Sequence, residues 1–181
     1  MTLLAYHGKK ELKKSYIDRL EAHRKAEELV QGVGFESNGQ TKGCNIGCLF
    51  DYYDHAKGAK ESGIPEVLLR LADKIFEGLP VKEANDFAIA WPKAIKPGAD
   101  LSRVQWRFCA FLLKENIERV LLLKIEDKLK EQLVLSIQGV LRLHENAFKT
   151  GSIDESARSA ARSAAYTRYA KEFISLVKAC K

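Results

Sequence analysis

Between Leu101 and Phe148, apolar residues return every three or four positions, with one interruption near Lys124. That spacing is the period of one face of an α-helix, and a run this long commits the chain to a mainly helical fold. Val104, Phe108, Phe111 and Leu112 form one side of the first segment. Leu129, Leu133, Ile137, Leu141, His144 and Phe148 make a stripe along the second. Arg107, Lys114, Glu115, Glu118, Arg119 and Lys124 fall within the greasiest stretch and would each be costly in lipid, so no membrane span is expected. These two helices are expected to form the centre of the core.

The same period predicts a first helix from about Lys9 to Gln31, carried by Leu12, Tyr16, Leu20, His23, Ala26 and Val30. Gly32, Gly34, Gly39 and Gly43 then break the pattern, and Asn38-Gly39 predicts at most one small β-hairpin near 33–42. Cys44 to Lys57 reads as one short helix ended by Gly58. Pro65 to Glu77 reads as another that starts on its proline and stops at Gly78. Trp91-Pro92 predicts a kink or a split between Pro80 and Lys96, and Asp100 can cap the helix beginning at Leu101. Ser152 and Glu155 have capping-box spacing ahead of a last helix reaching about Ala179. The expected architecture is all-α: an irregular bundle of six or seven helices in a single domain, 1–181.

Hydrophobic residues make up 46% of the chain and charged residues 30%, so it folds by burying a core and is not intrinsically disordered. Its formal charge of +6 is spread along the sequence, which favours acidic partners only mildly. Cys44, Cys48, Cys109 and Cys180 are too few and too unevenly placed for a disulfide framework. The first residues lack the apolar run of a signal peptide, and a cytoplasmic protein with reduced thiols is expected.

Two regions could carry chemistry. On one helix, Cys44, Cys48, Asp51 and His55 share roughly one face. A helix start near Cys44 would favour its thiolate, with His55 as base and Asp51 or Asp54 as orienter. A straight helix, however, separates Cys44 from His55 by about 16 Å, so the base would need a bend or another histidine, His7, His23 or His144. The same residues admit zinc, with Cys44 and Cys48 one turn apart and His55 or Asp51 completing the set, although no second cysteine pair exists. In the plainest reading, both cysteines are small buried hydrophobes, and Gly43 and Gly47 let another helix approach.

The second region is cationic. Lys9, Lys10, Lys13 and Lys14 open the first helix, and Arg158, Arg162 and Arg168 lie in the last, where they could grip phosphates. The leading expectation is therefore a non-enzymatic helical module that binds nucleic acid or nucleoprotein. A thiol-dependent, redox or metal-binding protein is the alternative. A third is a structural protein that docks a partner, or a second copy, through Ala157, Ala160, Ala161 and Ala164. Phosphate-loop and nucleophile-elbow motifs are absent.

Lys42-Gly43-Cys44-x-x-Gly47-Cys48, Asp54-His55, Gly63-Ile64-Pro65, Ile75-Phe76-Glu77-Gly78-Leu79-Pro80 and Pro97-Gly98-Ala99-Asp100-Leu101 carry a resemblance. Together with the Ser-Ala-Ala-Arg repeats near the C-terminus, these segments make the chain, from Tyr6 to Lys181, similar to a group of small bacterial and phage-type proteins. No activity is known for the group, so the resemblance implies a shared fold and no mechanism. It directs attention to residues 42–55.

Overall fold

The structure, a computed structural model, describes residues 4–159. Eight helices and one two-stranded sheet are present among them, as expected for an all-α protein with a small hairpin. The chain falls into two compact units, Met1–Ser102 and Arg103–Lys181, each described separately below.

The first unit opens with a 3₁₀ turn, Ala5–Gly8, followed by α1, Lys10–Lys25. Helix α1 is shorter than its apolar period suggests because Glu27 adopts a left-handed backbone (φ 60) that turns the chain away. Beyond it, the Val30 amide donates to Gly43 O and the Gly43 amide to Glu28 O, so 28–30 lies beside the hairpin as extended chain. The hairpin strands are β1, Phe35–Glu36, and β2, Lys42–Gly43, paired antiparallel with Phe35 opposite Gly43.

The single helix expected over Cys44–Lys57 is two: α2, Asn45–Phe50, and α3, His55–Ser62. Asp51 at the end of α2 is left-handed (φ 59), and Asp54 caps α3 by accepting from the Lys57 amide. Gly58 does not end a helix but lies inside α3, where an added Cβ would sit 2.6 Å from the Phe50 ring. The stop is Gly63, at φ +69. Helix α4, Glu66–Gly78, follows Pro65. Helix α5, Val81–Ala94, is continuous through Pro92, without the expected split.

This unit holds the core. Tyr6, Leu20, Ile46, Leu49, Ile64, Leu69 and Phe76 are fully buried, drawn from α1, α2, α4 and the connecting segments. The expectation that residues 101–148 form the centre is overturned.

The second unit contains α6, Val104–Leu122, and α7, Asp127–Thr150, joined by a short link where the sequence shows its break. Ala110 and Ala147 are the buried residues of this pair, while Phe111, Leu121, Leu122 and Leu135 are more than half exposed. A layer of two helices has one shared seam, so apolar residues off that seam stay in contact with solvent. After Gly151 the chain turns, and Asp154, in place of the expected Ser152, accepts from the Ser156 and Ala157 amides. Arg162, Arg168, Cys180 and most of the expected last helix lie outside the described residues. No helix among those described is long and apolar enough to cross a membrane.

Candidate functional site

A cavity of 440 Å³ opens in the first unit between the glycine loop 32–34, Cys44, the start of α3 and one side of α4. Close backbone approach builds it. The Cys44 amide donates to Val33 O (2.7 Å) and Gly34 O (3.1 Å), locking the loop against the cysteine. An added Cβ at Gly47 would lie 1.9 Å from Gly34 O, and one at Gly34 would lie 2.8 Å from the Tyr53 ring. Gly47 thus admits a loop and not the helix that the sequence suggested.

The left-handed break at Asp51 turns the chain between α2 and α3, and Cys44, the N-cap of α2, and His55, the first residue of α3, both line the cavity. Asp73 and Glu77 join them from α4. Sulfur and carboxylate atoms of Cys44, Asp73 and Glu77 all lie within 4.8 Å of one another. Tyr53 donates its hydroxyl proton to Asp73 Oδ2 at 2.7 Å, while His55 Nε2 stands 3.3 Å from the same oxygen without making a hydrogen bond. Asp73 Oδ1 also accepts no hydrogen bond of good geometry, the Cys44 thiol being the carboxylate's other close neighbour. His55 is 7% exposed and Asp73 8%, so both carry buried polar atoms with unmet bonding capacity. Such atoms cost about 1–3 kcal/mol each when left unpaired.

Electrostatics separate the chemical readings. Burial drives the Cys44 thiol pKa upward, the Asp73 carboxylate adds to that shift, and the Gly47 amide opposes it from 3.4 Å. A nucleophilic cysteine is favoured by the opposite shift, so these surroundings favour the protonated Cys44 thiol over the thiolate. The Tyr53 hydroxyl is pushed up to about 12, first by its hydrogen bond to Asp73 and then by burial. A divalent cation would reverse this balance, since it stabilises thiolate and carboxylate together.

Cys48 and Asp51 go elsewhere. The Cys48 thiol is fully buried, donates to Gly43 O at 3.4 Å, and is pushed up to about 12 by burial. Asp51 pairs with Arg19 (2.9 Å) and with His23 Nε2 (2.9 Å), while His23 Nδ1 meets Glu28 at 2.6 Å. This second polar cluster pins α1 to the end of α2 and faces neither Cys44 nor His55. His7 bonds the carbonyls of Lys60 and Glu61, and His144 belongs to the other unit.

The basic residues divide similarly. Lys13 donates to Lys93 O (2.6 Å) and Ile95 O (2.7 Å), securing the end of α5, and Lys14 pairs with Asp18. Lys9 and Lys10 are exposed, and Arg158, in the second unit, pairs with Glu155 at 3.2 Å. No family model, curated protein or solved structure matches the chain.

Proposed function

We propose that the protein binds a divalent transition-metal ion of the zinc class in this cavity, through Cys44, Asp73 and Glu77. The reading rests on one observation above the rest: buried polar atoms of Asp73 and His55 that make no hydrogen bond sit beside a thiol and a second carboxylate. Zinc takes sulfur at about 2.3 Å and oxygen at about 2.0–2.2 Å, so the donor atoms need only draw inward. Cys44 and Asp73 are buried, whereas Glu77 is exposed and tethered through Oε2 by the Gly32 amide. Tyr53 orients Asp73 as an outer hydrogen-bond partner, the kind of support that metal-binding carboxylates use. His55 Nε2, 3.3 Å from Asp73 Oδ2, stands beside this donor set. The mixed sulfur and oxygen donor set suits zinc better than the all-oxygen preference of magnesium or calcium.

The test is metal content after zinc loading and desalting. One zinc per chain is expected, falling at least tenfold in retention for Cys44→Ser and for Asp73→Asn, while Cys109→Ser retains the ion. Cobalt-loaded protein should show a sulfur-to-metal absorption that Cys44→Ser removes. Failure of the wild-type chain to retain either metal, or full retention by Cys44→Ser, would overturn the reading.

A further inference from the structure

An ion held by three side chains fills only part of the cavity. Its 440 Å³ falls in the range of about 300–1,000 Å³ typical of small-molecule sites. Three protein ligands are also the count of zinc centres that keep a position open for water or substrate. The remaining volume leaves room for a second ligand beside the ion.

The lining indicates its chemistry. Beside Val33 and the Tyr53 ring, the lining carries four charged side chains, Arg70, Asp73, Lys74 and Glu77, so a charged ligand would meet partners of both signs. Helix α4 presents two rows side by side. Asp73 and Glu77, four residues apart, belong to the donor set, and Arg70 and Lys74, also four apart, line the same cavity. Arg70 pairs with Glu66 Oε1 through Nε (2.8 Å) and Nη2 (2.6 Å), which leaves Nη1 uncommitted. Lys74 is exposed and has no ion pair among the described residues. The glycine loop is committed, its Gly32 amide donating to Glu77 Oε2 at 2.7 Å.

We infer that the open position of this centre receives a phosphate group, one oxygen on the metal and the others on Lys74 and Arg70. The inference rests on the metal reading above. A phosphate has oxygens enough to meet the ion and both cations at once, whereas a carboxylate has two and would leave one unmet. The His55 ring nitrogen adds a further hydrogen-bonding group beside the metal. Without the ion, the Asp73 and Glu77 carboxylates repel phosphate, so its binding depends on metal.

Cobalt-loaded protein titrated with inorganic phosphate, followed by its visible spectrum, separates the two claims. A saturable spectral change is expected, with phosphate affinity reduced roughly tenfold in Lys74→Gln and cobalt affinity unchanged within about twofold. Acetate should bind at least tenfold more weakly, and metal-free protein should bind no phosphate by calorimetry. Cobalt retained without response to phosphate would overturn this inference and leave the metal reading standing. So would a Lys74→Gln variant with undiminished phosphate affinity, or acetate binding as well as phosphate. Loss of cobalt binding itself would remove both.

Discussion

The first unit and the α6–α7 hairpin are built from similarly apolar sequence, yet they bury it to very different extents. Phe76, Leu69 and Ile64 are fully enclosed, while Leu122 on α6 is 84% exposed. The hairpin has the more regular apolar period, and the first unit is repeatedly interrupted by glycine, proline and turns. The interruptions make the difference. They let α1, α2, α4 and α5 approach a common centre from several directions, whereas two uninterrupted helices can share only one seam. Period reports that a helix forms and which way it faces; it does not report how much will cover that face.

The widest test of the contrast pairs one substitution from each side. Phe76→Ala removes a fully buried ring and should cost about 3–5 kcal/mol, and Leu122→Ala should stay within about 0.5 kcal/mol. Trp91 lies in the first unit and Trp106 in the second, so variants keeping one or the other report urea unfolding of each. A loss at Leu122 comparable to that at Phe76 would show that the hairpin face is covered in solution.

Glycine offers a smaller contrast of opposite sign. In Gly47→Ala the new methyl meets the Gly34 carbonyl at 1.9 Å, backbone against backbone, and should destabilise by about 1–3 kcal/mol. Because that carbonyl belongs to the loop tied to Cys44, zinc retention should fall with it. Gly139 in α7 has nothing within 4 Å of its added Cβ, so Gly139→Ala should stabilise by up to about 1 kcal/mol through helix propensity. Equal effects in urea denaturation would mean that the loop yields freely, and the cavity would lose its rigid wall.

The candidate site was partly legible for related reasons. Cys44 and His55 stand out by residue type, and the distance objection to pairing them follows correctly from helix geometry. What brings them to one cavity is the left-handed Asp51, an acidic residue with no glycine beside it, and nothing in the local pattern marks that turn. Asp73 and Glu77 were missed because acids on a helix normally face water. The available signal was position: Asp73 falls between Leu69 and Phe76 on the buried stripe of α4, where a carboxylate needs a reason to be. Lys13, chosen for a cationic face, instead holds two carbonyls at the end of α5, a long-range use that no local pattern announces.

The least effect expected is a pH dependence that sharpens the contrast between the units. Burial lowers the His144 pKa, its Nδ1 has no partner, and the Trp106 ring lies 5.7 Å away. A depressed folded value means that the folded hairpin prefers neutral imidazole. The corresponding stability is fully present above the unfolded value of about 6.5 and is lost as pH falls through the folded one. The Trp106 unfolding midpoint should therefore decline between neutral pH and pH 5, and His144→Phe should flatten that decline. The midpoint is the quantity to compare, because a protonated histidine beside Trp106 would change fluorescence intensity without any change in stability. A His144→Phe profile that still falls in parallel with the wild type would place the acid sensitivity on groups other than His144.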